Sequence, residues 1–127
     1  GRLQQVRTGI RGELDRIDAG YPTVEIPADF ELAYRKDRPL TVPIRIADDY
    51  RVERAVVLVR TESNPEFREI VLRDSGGGVY PFHVGPDVHG NETVEFYVVA
   101  NDRSGHETRV GGPEGPLTIE RKRWYQR

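Results

Sequence analysis

The stretch T-V-E-F-Y-V-V-A-N-D-R-S-G-H-E-T-R-V-G-G-P-E-G-P-L-T-I-E, residues 93 to 120, decides the fold class. Val94, Phe96, Val98 and Ala100 alternate with Glu95, Tyr97, Val99 and Asn101. That period of two is the mark of a strand with one face on a core, and the first set is assigned to the core. Asp102-Arg103-Ser104-Gly105 follows as a tight turn: the Asp carboxylate accepts backbone N–H groups and the Gly supplies positive φ. His106 to Val110 begins a returning strand, Gly111 to Pro116 interrupts it as a bulge, and Leu117 to Glu120 completes it.

Working back from this stretch, short strands recur at the spacing of an all-β domain. Thr23 to Ile26 is a candidate first strand, and Leu40 to Ile46 alternates cleanly. Pro43 lies inside that second strand and donates nothing to a ladder, which predicts an edge or a bulge there. Arg54 to Arg60 is the most apolar run and reads as a central strand with both faces partly covered. Phe67 to Leu72 and Val79 to Val84 flank the hairpin tip Asp74-Ser75-Gly76-Gly77-Gly78, and residues 85 to 91 form a loop. Connections this short leave no room for crossover helices, which predicts antiparallel sheets.

Ahead of the strands, Leu3, Val6, Ile10, Leu14 and Ile17 make one apolar stripe at steps of three and four, a helix over residues 3 to 19. The stripe leaves a strict heptad at Leu14, which favours packing on a globular surface over a long coiled coil. It has three readings: packing on its own domain, continuing an upstream helical domain, or dimerisation. With Gly1 rather than Met at its start, the chain is expected to be a piece of a longer protein.

The 127 residues suffice for one domain with a core of its own. There is no Cys, so disulfides, thiolate metal sites and thiol nucleophiles are excluded. A net charge of −2 argues against a nucleic-acid partner. No apolar run is long enough to span a bilayer.

From about residue 21 to 120 the chain resembles the bacterial immunoglobulin-like or fibronectin-III-like domains of multidomain cell-envelope proteins. Glu95-Phe96-Tyr97-Val98-Val99-Ala100-Asn101-Asp102-Arg103-Ser104-Gly105 is similar to their E-Y/F-Y-x-x-A-x-D-x-x-G strand, and a Gly/Pro bulge follows. The segment from Ile46 to Val56 is similar to an earlier A-x-D-D-Y/F-x-V-x-x-V element, with Arg51 at a position usually held by a small residue. The resemblance implies a mainly β fold, an antiparallel immunoglobulin-like β-sandwich of about seven strands at 21–120, with one N-terminal α-helix at 1–20 and a basic aromatic tail at 121–127. It implies an extracytoplasmic, periplasmic or envelope location, and it carries over no catalytic residue, cofactor or metal.

The remaining polar candidates have structural readings that outweigh chemical ones. His83, His89 and His106, with Asp87 and Asp102, match no metal-ligand spacing and read as separate surface residues. Asp48, Asp49 and Asp102 supply too few oxygens for calcium and read as turn caps. The Asp74 to Gly78 tip lacks the helix that a phosphate loop needs. Ser63, Ser75 and Ser104 lack a nucleophile-elbow context.

The expected function is therefore non-catalytic: an interaction or spacer module whose partner is another protein or another domain of its parent. The alternative is a carbohydrate-binding module using exposed aromatics from Tyr34, Tyr50, Tyr80, Tyr97 and Trp124. Three surfaces are singled out for contact. The first is the sheet face bearing Tyr97 and Val99. The second is the stripe of the helix, which would make a homodimer. The third is the tail Arg121, Lys122, Arg123, Trp124 and Tyr125, whose cations and aromatics suit a membrane surface. Nucleic-acid stacking and a simple solvated end are the rival readings of that tail.

Overall fold

Alternating apolar residues in the middle of the chain fold into two facing sheets. The computed structural model describes residues 21–47 and 52–122. The predicted helix, with Leu3, Val6, Ile10, Leu14 and Ile17, lies outside the described residues, as do Asp48, Asp49 and Tyr50 and the tail residues Arg123, Trp124 and Tyr125.

In chain order the elements are β1 (Thr23–Glu25), β2 (Ala33–Arg35), β3 (Leu40–Ala47), β4 (Val52–Arg60), β5 (Arg68–Val71), β6 (Val79–Val84), the helical turn α1 (Pro86–His89), β7 (Val94–Asp102), β8 (Glu107–Val110) and β9 (Leu117–Lys122). One sheet has the order β1-β3-β6 and the other β2-β9-β7-β4-β5, with β8 also on β7. The protein is thus mainly β, with nine strands among the described residues rather than about seven. Two sources account for the difference: the short strand β2, unmarked in the sequence, and the last strand, which is split in two.

That split matches the expected bulge. β8 pairs with the second half of β7, Val98 opposite Val110, and β9 with the first half, Val94 opposite Ile119. Between them Gly112 and Gly115 exchange backbone hydrogen bonds. Gly111, at φ 80°, passes so near β7 that an added Cβ would sit 3.2 Å from the Cβ of Tyr97. A side chain there would meet both strain and a clash.

The core side of β7 is as the alternation predicts: Val94, Phe96, Val98 and Ala100 are all fully buried. They meet Val42, Ile44, Phe82 and Val84 from the other sheet in one cluster, with the Phe82 and Phe96 rings 5.4 Å apart. Burial of such side chains contributes about 1.5–3 kcal/mol each.

The expectation of purely antiparallel sheets is corrected. β2 runs parallel to β9, Ala33 beside Glu120 and Tyr34 beside Arg121. The short-connection argument restrains neighbours in sequence. These two strands have most of the chain between them, so no local crossover is needed.

Pro43 sits in a strand with neighbours on both sides, yet no ladder bond is broken. It lies opposite Pro81, and β1 covers only Arg45 to Ala47. In an antiparallel ladder, two prolines face each other where both nitrogens point away from the pair. Pro81 thereby removes a donor from the outer edge of β6.

Candidate interaction face

The outer face of the larger sheet is built by the residues that alternate with the core. On β4 these are Arg54, Val56, Leu58 and Arg60, and across from them on β7 stand Asn101, Val99, Tyr97 and Glu95. Val71 and Glu69 continue the rows onto β5, and Arg109 and Glu107 continue them onto β8. The result is an apolar strip bounded by charge.

Val99, singled out for contact, is itself buried at 8% exposure, beside Val56 at 4%. Tyr97 is half-buried. Its ring meets Phe67 edge-on at 5.1 Å, and the Arg109 guanidinium lies 5.9 Å from it. Arg60 stacks over Phe67 at 4.2 Å. The face exposes the rims of these rings together with Val71, which is 48% exposed. Val99 supports it from beneath.

The charges around the strip are paired with one another. Arg54 meets Glu69 at 2.6 Å, Arg60 meets Glu95 at 2.7 Å, and Arg109 meets Glu107 at 2.7 Å. The hydrogen bond from Arg109 holds the Glu107 carboxyl below the usual carboxylate range, and the Arg109 guanidinium is raised in turn. Exposed pairs of this kind contribute little stability each, but they keep the face electrically balanced.

Most other polar candidates are engaged in holding the fold. His89, expected at the surface, is fully buried and stacks on Tyr34 at 3.7 Å. Its Nδ1 accepts the Asn91 N–H at 2.9 Å, so its Nε2 carries the proton and donates to the Arg38 carbonyl at 2.8 Å. Both ring nitrogens are thereby used, and neither faces an incoming metal. The sequence signal for this was the Pro86–His89 turn, which carries the ring inward before Gly90 ends it in the left-handed region. Tyr34 donates from its hydroxyl to the Glu92 carbonyl at 2.6 Å, and burial raises its phenol. The Glu92 carboxylate accepts from the Ser63 hydroxyl and from the Ser63 N–H; these bonds, the hydroxyl foremost, hold it below the usual range.

Asp102 caps the β7–β8 turn as expected. Its Oδ1 accepts the N–H groups of Ser104 and His106, and His106 Nδ1 donates to its Oδ2 at 3.0 Å. The His106 ring stacks on Tyr21 at 4.4 Å, while Thr108 donates to the Pro22 carbonyl at 2.7 Å, so this hairpin also anchors the start of the described chain. His83 lies on β6, its ring 3.1 Å from the Thr41 hydroxyl. Among the described residues no group of three or more His, Asp or Glu side chains converges as a metal ion requires.

Of the tail residues, Arg121 and Lys122 belong to β9. Lys122 reaches back to Glu31 at 2.9 Å. Tyr34 is buried, and Tyr80 and Tyr97 stand on different sheets. No helix among the described residues is long and apolar enough to cross a membrane.

No protein-family model matches the chain, and no curated protein matches it in sequence. Among solved structures, a crystal structure of an engineered protein from the Northeast Structural Genomics Consortium is similar at a TM-score of 0.55 and 18% identity. The match covers 82% of this chain and 21% of that one, so the chain spans about a fifth of that protein's length, and the likeness is one of fold alone.

Proposed function

We propose that this chain is an immunoglobulin-like, non-catalytic interaction or spacer module of a larger bacterial envelope-associated protein, working outside the cytoplasm. The observation that carries the reading is the outer face of the larger sheet. It has a half-buried aromatic centre, Tyr97 on Phe67, an exposed Val71 on the outer strand in the neighbouring row with Val56 and Val99, and a rim of internally balanced charge. A face of this make-up suits a protein surface of matching shape.

The strand order supports the immunoglobulin-like assignment: β1-β3-β6 faces β2-β9-β7-β4-β5, with the last strand broken between β8 and β9. A similar fold occupying a fifth of a longer solved chain is compatible with a module. The protein-partner reading is favoured over a glycan platform because Tyr34 is buried, Tyr80 and Tyr97 lie on different sheets, and Phe67 meets Tyr97 at 78° rather than coplanar.

A photo-crosslinking amino acid placed at Tyr97 in the full-length protein, in its own cell, tests this. Protein adducts at position 97 that are absent from the same probe at His83, on the opposite sheet, are expected. Glycan adducts at 97, or equal labelling at both positions, would defeat it.

A further inference from the structure

We infer that this chain pairs with a second copy of itself, edge to edge along β5. The inference goes beyond the reading above and does not depend on the Tyr97 face. It starts from the segment Arg68-Glu69-Ile70-Val71-Leu72-Arg73-Asp74. Laid antiparallel on its own copy about Val71, the segment is self-complementary. Arg68 faces Asp74, Glu69 faces Arg73, Ile70 faces Leu72, and Val71 faces Val71.

The backbone permits that register. Leu72 donates its N–H to the Ala55 carbonyl at 2.8 Å, so the alternate amides of Glu69 and Val71 within β5 point away from β4, toward the open side. Those are the groups that an antiparallel partner centred on Val71 would bond. The side-chain match and the hydrogen-bonding phase therefore select the same alignment independently.

The other sheet edges are blunted. β6 carries Pro81 at mid-strand, β1 has three residues between Pro22 and Pro27, β2 has three residues, and the four-residue β8 has its Thr108 hydroxyl tied to the Pro22 carbonyl. Among the described residues β5 lies at the end of its sheet, has no proline, and leaves Val71 48% exposed. Charges on an edge usually repel another strand. Here they discriminate between strands: a register centred on Glu69 sets Glu69 against its own copy, whereas the Val71 register sets Arg68 opposite Asp74 and places Arg73 beside Glu69, which Arg54 already holds at 2.6 Å. Arg73 and Arg68 have no ion-pair partner among the described residues, and Asp74 uses only Oδ1, to cap the Gly76 N–H.

Sedimentation equilibrium across the micromolar to millimolar range tests the inference. The mass is expected to rise toward twice the monomer, with amide exchange of Val71 slowing in step with concentration. Arg73→Glu, an exposed change that sets Glu against Glu, should weaken association at least about tenfold, equivalent to about 1.4 kcal/mol. The triple variant Arg54→Glu/Glu69→Arg/Arg73→Glu, which reverses all three charges and so keeps the pair between positions 54 and 69, should restore it. Three outcomes would overturn the inference: a monomer at every concentration, a dimer indifferent to Arg73→Glu, or protection that grows away from β5. None of these bears on crosslinking at Tyr97, so the two readings fail separately.

Discussion

Asp37 and Asn91, 54 residues apart, exchange two hydrogen bonds: Asn91 Oδ1 accepts the Asp37 N–H at 2.9 Å and Asn91 Nδ2 donates to Asp37 Oδ1 at 2.8 Å. Both residues sit in the left-handed region, at φ 61° and 59°. Asn and Asp tolerate that region better than other non-glycine residues, and here their side chains also tie the β2–β3 loop to the end of the α1 turn.

Asn91→Ala should accordingly destabilise the fold by about 2 kcal/mol, through lost bonds and left-handed strain together. Asn91→Gly removes the strain and keeps the loss of bonds, so it should cost less than Ala. Urea denaturation of the three proteins checks the order; equal midpoints for Asn91→Ala and the parent would refute it.

Next to this clasp, His89 satisfies two backbone groups from a fully buried ring. His89→Phe keeps the shape and the stack on Tyr34 but orphans the Asn91 N–H and the Arg38 carbonyl. A loss of about 2–4 kcal/mol is expected, read as a lower thermal midpoint. An unchanged midpoint would mean that water replaces both bonds.

Gly111 and Gly77 both have positive φ, 80° and 64°, but only Gly111 is crowded, by Tyr97 and by the Gly115 carbonyl at 3.3 Å. Gly77→Ala should cost about 1 kcal/mol of backbone strain, and Gly111→Ala clearly more. Chemical denaturation separates the two. If the order were reversed, the bulge would be looser than its geometry implies.

Acid should weaken the fold through Glu92 and Glu107, whose carboxyls are held low by Ser63 and Arg109 respectively. In the unfolded chain they take up protons near the ordinary pKa of about 4.3, before the folded forms do. Their stabilisation is thus present above that value and lost as pH falls through the lower folded ones. Ser63→Ala should flatten the acid limb of a stability–pH curve, while a limb of unchanged slope would exclude Glu92 as a contributor.

Local burial was legible in the chain because a period of two reports which face of a strand meets the core. Val94, Phe96, Val98 and Ala100 were assignable that way, and so were the Asp102 turn with Gly105 at φ 89° and the break after Val110. The candidate face was only half legible: alternation placed Tyr97 and Val99 on one side, but not Phe67 and Arg109 around the one, nor the burial of the other.

What the sequence by itself determined is therefore the strands other than β2 and the inward face of β7. Only the tertiary structure decided the parallel β2–β9 pairing, the buried His89, the Asp37–Asn91 exchange, and the engagement of Glu92 and Asp102 as clasps rather than as a site. The physical reason is range. Periodicity and turn chemistry act within a few residues, whereas these contacts join segments tens of residues apart, and they exist once two sheets have closed on a common core.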